Sequence, residues 1–310
     1  MTVELFPPTL PIMSTMARSE DGRSWLARLP SLVDELSRRW ELRLGAPFHG
    51  GTCSWAAPAT LPDGGPAVLK ISWPHREAAG EAEALLWWDG NGAVHVYRHD
   101  QDRYALLLEH CRPGEPLRAV DGLAAEDRLL AGAEVLDELW SVPPPAETRL
   151  ERLGEVTAEW AGLVEDRMDR LRPGFDPGLV AHGVRLLREL PGTAARQVVL
   201  HGDFNPGNVL AAGRRAWLAI DAKPMIGDPG YDPWPLVEQI DDPFLHRDPL
   251  PVLAARYALV AGSLGEDVRR LQAWAVARRV EMALWMVEHD MPGAAPAMER
   301  VRLLAALAGL

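Results

Sequence analysis

The sequence predicts an α+β chain of two lobes, a small antiparallel β-sheet followed by a mainly helical region. Three observations predict it. Short apolar runs broken by Gly and Pro are confined to the stretch before residue 112. Helical periodicity dominates after it. A strand, a polar loop and a second strand pair interrupt the helices between residues 197 and 222. The expected division is 1–111 and 112–310, and 310 residues with 47% hydrophobic content can bury a sizeable core without disulfides.

Up to about Ala17 the chain is rich in Pro, Thr and Met with no period, which predicts a loosely ordered arm. From Ser24, WLARLPSLVDELSRRW places Leu29, Leu32, Val33 and Leu36 at helical spacing. LRLGAPF, CSWAAPAT and PAVLKIS read as strands, residues 76–88 as a helix, and AVHVYRHD with YALLLEH as a hairpin, ended by Arg112, Pro113 and Gly114. Leu129, Ala133, Leu136 and Trp140 then mark a helix that Pro143, Pro144 and Pro145 stop. QVVLHGD is a strand leading to the pair NVLAA and WLAIDA. The last third is helical, with Trp274 and Trp285 expected in its core.

Lys and Arg number 32 against 44 Asp and Glu, a formal charge of −12, so a nucleic-acid backbone would be repelled and a cationic small molecule attracted. Two cysteines, Cys53 and Cys111, make neither a disulfide framework nor a zinc site. The first twenty residues lack a basic segment followed by an apolar one, and no run of 18 apolar residues occurs. A cytoplasmic monomer with no membrane and no nucleic-acid partner is expected.

The chemistry concentrates in HGDFNPGNVL, from His201 to Leu210, and WLAIDAKP, from Trp217 to Pro224. Asp203 and Asn208 are five positions apart, and Asn208 and Asp221 thirteen, with strand-forming residues between that would bring the last two together in a hairpin. Phosphoryl transfer needs a carboxylate beside the attacking hydroxyl and oxygen ligands for the Mg²⁺ that neutralises the phosphates of ATP. Asp203 would orient and deprotonate the hydroxyl, while Asn208 and Asp221 would ligate Mg²⁺. His201 is expected to brace the loop. Isolated Asp and Asn in loops serve turns, but two fixed spacings beside apolar strands argue for the functional reading.

Lys70 closes the apolar run AVLKI, where a strand lysine would contact phosphates and pair with a helical glutamate. Glu81 is the preferred partner, with Glu77 as the alternative on the same helical face. Gly50, Gly51, Thr52 and Ser54 form a turn able to approach an anion closely, although it is not a full GxGxxG.

With these residues placed, the chain resembles the aminoglycoside phosphotransferase family through HGDFNPGN and the later AID. DGRSWLARLP, WWDGNGAV, HGDFNPGNVLAA, WLAIDAKP, GDPGYDPWP and ALWMVEHD look like its streptomycin 6-phosphotransferase and hydroxyurea kinase branch, over about Arg18 to Asp290. The resemblance implies a protein-kinase-like fold and transfer from ATP to a hydroxyl of an aminoglycoside. Kinases for hydroxyurea, choline, homoserine or a sugar, and an inactive binding module, are the alternatives. It further implies adenine held by backbone groups of Glu109, His110 and Cys111, and the roles already given to Lys70, Glu81, Asp203, Asn208 and Asp221. Ala222, where many relatives of the branch carry proline, and the weak glycine turn depart from the pattern.

A cationic antibiotic gives up hydration on binding, so carboxylates should replace the water. Asp228 and Asp232 in GDPGYDPW, and Glu281 and Glu288 on one helical face with Trp285, are the expected acceptor ligands.

Overall fold

The computed structural model describes residues 4–310. The expected loose arm begins with residues 1–3, outside the described residues; from Leu5 to Ala17 it is built into the fold. Helices α1 (Pro11–Met16) and α2 (Glu20–Arg39) share one core with the sheet, and Leu10, Ile12 and Met16 are buried in it. A six-residue helix is too short to show a period, so the sequence concealed it. Further back, Leu5 accepts a hydrogen bond from the Trp55 indole at 2.8 Å and Phe6 lies on its ring. The Ser19 side chain accepts the Gly22 N–H and starts α2 ahead of the expected Ser24.

The sheet contains β1 (Arg43–Leu44), β2 (Ser54–Thr60) and β3 (Pro66–Ser72), then, after a 3₁₀ turn at Arg76–Ala78 and α3 (Glu81–Trp88), β4 (Val96–Asp100) and β5 (Ala105–Glu109). Its order is β1-β2-β3-β5-β4, antiparallel throughout. Of LRLGAPF only Arg43 and Leu44 pair. Alternation along a strand decides what faces the site. Leu69, Ile71, Ala105 and Leu107 enter the core beneath α1 and α2, whereas Leu106 and Leu108 join the larger core shared with the helical lobe. Lys70, between Leu69 and Ile71, therefore points to the lobe interface.

The second lobe runs through α4 (Ala125–Ser141), β6 (Glu151–Arg152), α5 (Leu153–Leu171), α6 (Pro177–Glu189), β7 (Val198–Leu200), β8 (Val209–Ala211), β9 (Trp217–Ala219) and β10 (Met225–Gly227). It finishes with α7 (Trp234–Gln239), α8 (Pro249–Leu264), α9 (Val268–Glu288) and α10 (Ala294–Ala308). β10 runs parallel to β6 and antiparallel to β7, while β8 and β9 form the expected hairpin. Trp274 is fully buried as expected, but Trp285, in the last turn of α9, is 39% exposed and stacks on His289 instead of entering the core. Among the described residues no helix is long and apolar enough to cross a membrane.

Candidate active site

The loop between β7 and β8 is fixed from three sides. His201 is fully buried, and its Nε2 lies 2.9 Å from the Ile220 carbonyl, which can only accept. Nδ1 is thereby left to accept the Asp203 N–H at 3.3 Å. Burial lowers the His201 pKa, so the ring is neutral, as that pattern requires. Asp232 accepts the N–H groups of His201 and Gly202 at 2.9 and 2.8 Å, with the Trp140 indole at 3.3 Å. Gly202 has φ +81°, and a Cβ there would lie 1.8 Å from the Lys223 carbonyl oxygen. Only glycine fits. Asp203, held by these neighbours, keeps its carboxylate about a third exposed (32%).

The hairpin does what its spacing predicted. Val209 pairs with Ala219, and the Ile220 N–H extends the ladder to the Asn208 carbonyl at 2.9 Å, which sets Asp221 beside Asn208. The Asn208 amide nitrogen donates to the Asp203 carbonyl at 3.0 Å, leaving its amide oxygen free for another partner. Asp221 takes a left-handed φ of +61°. Its carboxylate and that of Glu81 each lie 2.5 Å from Lys70 Nζ. Lys70 lowers the Asp221 pKa to about 2, against the opposing effect of burial. Burial alone would lower the Lys70 pKa, yet the two carboxylates outweigh it and hold the ammonium above its usual range. Glu81, desolvated at the start of α3, is pushed up by burial and partly restored by Lys70.

Glu77 is thus not the partner of Lys70. It lies in the 3₁₀ turn before α3 and meets Lys223, whose ammonium is 3.4 Å from it and 3.1 Å from Asp203. Burial would lower the Lys223 pKa, but Asp203 and Glu77 raise it further. Sequence reasoning missed Lys223, although it stands two positions beyond Asp221.

Two cavities meet here. A recess of about 120 Å³ is lined by Gly50, Gly51, Thr52 and Ser54 over Lys70 and Asp221. A cleft of about 1200 Å³ opens beside Asp203, with Trp160, Trp234 and Arg278 in its wall. The Arg278 guanidinium lies 4.0 Å from the Trp160 ring centre. Lys223 borders both cavities. At the end of β5, the Glu109 carboxylate holds Arg214 and the His95 N–H, and His110 meets the edge of Phe48. Cys111 is buried, its thiol pushed up to about 12.

The four expected acceptor carboxylates do not line the cleft. Asp228, 1% exposed, caps the turn at Gly230 and binds Arg270 and the Trp274 indole. Asp232 braces the loop that carries Asp203, and burial raises its pKa to about 6 despite the hydrogen bonds it accepts. Glu281 lies 3.3 Å from Arg167 and 3.2 Å from Arg278, and Glu288 pairs with Arg167 and Arg170. Asp228, Asp232 and Glu281 are compensated inside the fold, as burial demands, and the more exposed Glu288 is held by two arginines away from the cleft.

A sheet lobe over a helical lobe, with a buried Lys70–Glu81 pair meeting the Asp221 carboxylate in a recess under a glycine turn, defines a phosphotransferase of the protein-kinase-like class. The chain belongs to the aminoglycoside/hydroxyurea antibiotic resistance kinase family, whose profile matches residues 39–290. It is 35% identical to a streptomycin 6-kinase of Streptomyces glaucescens over 302 residues, 96% of each chain. It is 34% identical to a hydroxyurea phosphotransferase of Kitasatospora aureofaciens, covering 86% of this chain and 76% of that one. The fold matches that of a choline kinase from Streptococcus pneumoniae with a TM-score of 0.63 at 13% identity, over 90% of this chain and 99% of that one.

Proposed function

We propose that the chain transfers the γ-phosphoryl group of ATP to a hydroxyl of a streptomycin-like aminoglycoside and so confers resistance to it. The observation that carries this is the position of Asp203, in the wall of a cleft of about 1200 Å³ and 3.1 Å from Lys223, which also lines the recess over Lys70 and Asp221. Such a cleft suits a drug-sized acceptor, whereas hydroxyurea would leave most of it empty. The streptomycin 6-kinase of S. glaucescens, similar over nearly its whole length, supports the same reading.

In this reading the triphosphate lies in the recess under Gly50, Gly51, Thr52 and Ser54, with adenine against the backbone of Glu109, His110 and Cys111. Lys70, held by Glu81, donates to the phosphates. The residues present fit a Mg²⁺ ion shared with them. Asp221 offers a carboxylate and Asn208 an uncommitted amide oxygen, and no cluster of three or more His, Cys, Asp or Glu among the described residues could hold a metal without the nucleotide. When bound, Mg²⁺ supplies charge neutralisation at the β- and γ-phosphates.

Asp203 accepts a hydrogen bond from the acceptor hydroxyl and aims its oxygen at phosphorus. The new P–O bond forms as the bond to the β-phosphate oxygen breaks, ADP leaves, and the hydroxyl proton passes to Asp203. Trp160 and Trp234, in the cleft wall, supply aromatic surface for the acceptor's rings. Incubation with radiolabelled ATP and streptomycin, other aminoglycosides, hydroxyurea or choline tests this. Label on streptomycin is expected; label only on hydroxyurea or choline would overturn the assignment.

A further inference from the structure

Lys223 lines both cavities and touches Asp203 in the wall of the larger one, yet the roles above leave it without a task. Its ammonium is 3.1 Å from Asp203 and 3.4 Å from Glu77, and its side chain is 38% exposed. A phosphoryl group crossing from the recess to a hydroxyl held by Asp203 must pass this point. Lys70 lies on the nucleotide side, paired with Glu81 and Asp221. The loop from Phe204 to Gly207 carries no cation. Arg76, Arg149 and Arg278 also line the cleft, but among the lysines and arginines of its wall Lys223 is the one that also lines the recess and lies against Asp203, which positions its charge to meet the equatorial oxygens. An ammonium has three N–H donors, and its ion pairs with Asp203 and Glu77 can occupy at most two.

We propose that Lys223 is a catalytic residue that holds the γ-phosphoryl oxygens during transfer, exchanging its contact with Glu77 for them while keeping Asp203 in place. This rests on the reading of Asp203 as the base. Lys223 stays protonated throughout. The hydroxyl oxygen gains the bond to phosphorus, the β-phosphate oxygen keeps the electrons of the bond that breaks, and the proton goes to Asp203. Charge develops on the equatorial oxygens in the transition state, so a fixed ammonium there lowers the barrier more than it aids ground-state binding.

The test compares the wild-type chain with Lys223→Met and Lys223→Arg, measuring kcat and KM with streptomycin and the affinities for ADP and for ADP with aluminium fluoride, which mimics the transferring group. Lys223→Met should lower kcat by about 10²- to 10³-fold. Its ADP affinity should stay within about threefold, while its affinity for the aluminium fluoride complex falls at least about tenfold. Lys223→Arg should recover a measurable part of both losses. The proposal is overturned if kcat of the Met variant stays near wild type, if ADP and the fluoride complex weaken equally, or if Arg does no better than Met. Should the Met variant fail to fold, Lys223→Gln takes its place in the same comparison. Because the fluoride measurement involves no proton transfer, it judges Lys223 even if Asp203→Asn shows the base to be wrongly assigned.

Discussion

The Asp232 carboxylate accepts the backbone N–H of His201 at 2.9 Å, tying α7's approach to the residue two positions before Asp203. Burial holds its pKa near 6, above the ordinary 3.8, so the folded chain binds that proton more tightly than the unfolded chain. This contribution to stability is fully present below about pH 4, is lost as pH rises towards 6, and is flat beyond; two pKa units correspond to about 3 kcal/mol at most. Asp232→Asn should therefore gain on the wild type as pH rises from 4 to 6 in melting experiments. A constant difference across that range would contradict it.

Lys70 and Glu81 form a buried pair whose separation should cost more than its joint replacement. Lys70→Met alone leaves the Glu81 charge stranded and is expected to lower stability by about 3–5 kcal/mol in denaturant titrations. The double variant Lys70→Met with Glu81→Leu should regain most of it while remaining inactive. Equal losses for the single and double variants would show that the pair's burial is not what governs stability.

Gly202→Ala introduces a Cβ 1.8 Å from the Lys223 carbonyl at a left-handed φ. The loop must shift, so phosphoryl transfer should fall at least about 10²-fold even where the chain still folds. Wild-type kinetics in the alanine variant would show that the loop has slack the geometry denies.

Glu288 pairs with Arg167 and Arg170 away from the cleft, whereas Trp160 lines it. Glu288→Gln should leave the acceptor KM within about twofold and the melting temperature little changed, because the ion pairs it loses are solvent-screened. Trp160→Ala should raise that KM roughly tenfold, the loss of one aromatic contact face. Steady-state kinetics at saturating ATP separates the two, and the reverse ranking would place the acceptor elsewhere.

What the sequence disclosed about the site follows from distance along the chain. Asn208 and Asp221 flank a hairpin of known register that brings them together, so that pair was legible, and Asp203 stands only five positions before Asn208, whose amide donates to its carbonyl. Lys70 was legible as the lysine that closes the apolar run AVLKI. Glu81 over Glu77 was a correct choice, although the helix begins only at Glu81 and Glu77 belongs to the preceding turn. Asp228, Asp232, Glu281 and Glu288 misled because a carboxylate near Gly, Pro or a helical stripe looks the same whether tertiary packing later buries it against arginine or leaves it free. The cleft wall was illegible for the complementary reason. Trp160, Trp234 and Arg278 come from α5, α7 and α9 and share no local pattern. The fold was read well in its strands and long helices, and least well before Ser19, where burial rather than periodicity makes α1.

The most direct measurement is phosphoryl transfer from ATP to streptomycin by Asp203→Asn, with nucleotide affinity measured on the same preparation. The proposed arrangement predicts a kcat lower by about 10²- to 10⁴-fold and ADP binding within about twofold of wild type, since Lys70, Glu81 and Asp221 are untouched. Turnover close to wild type, with nucleotide affinity intact, would contradict it.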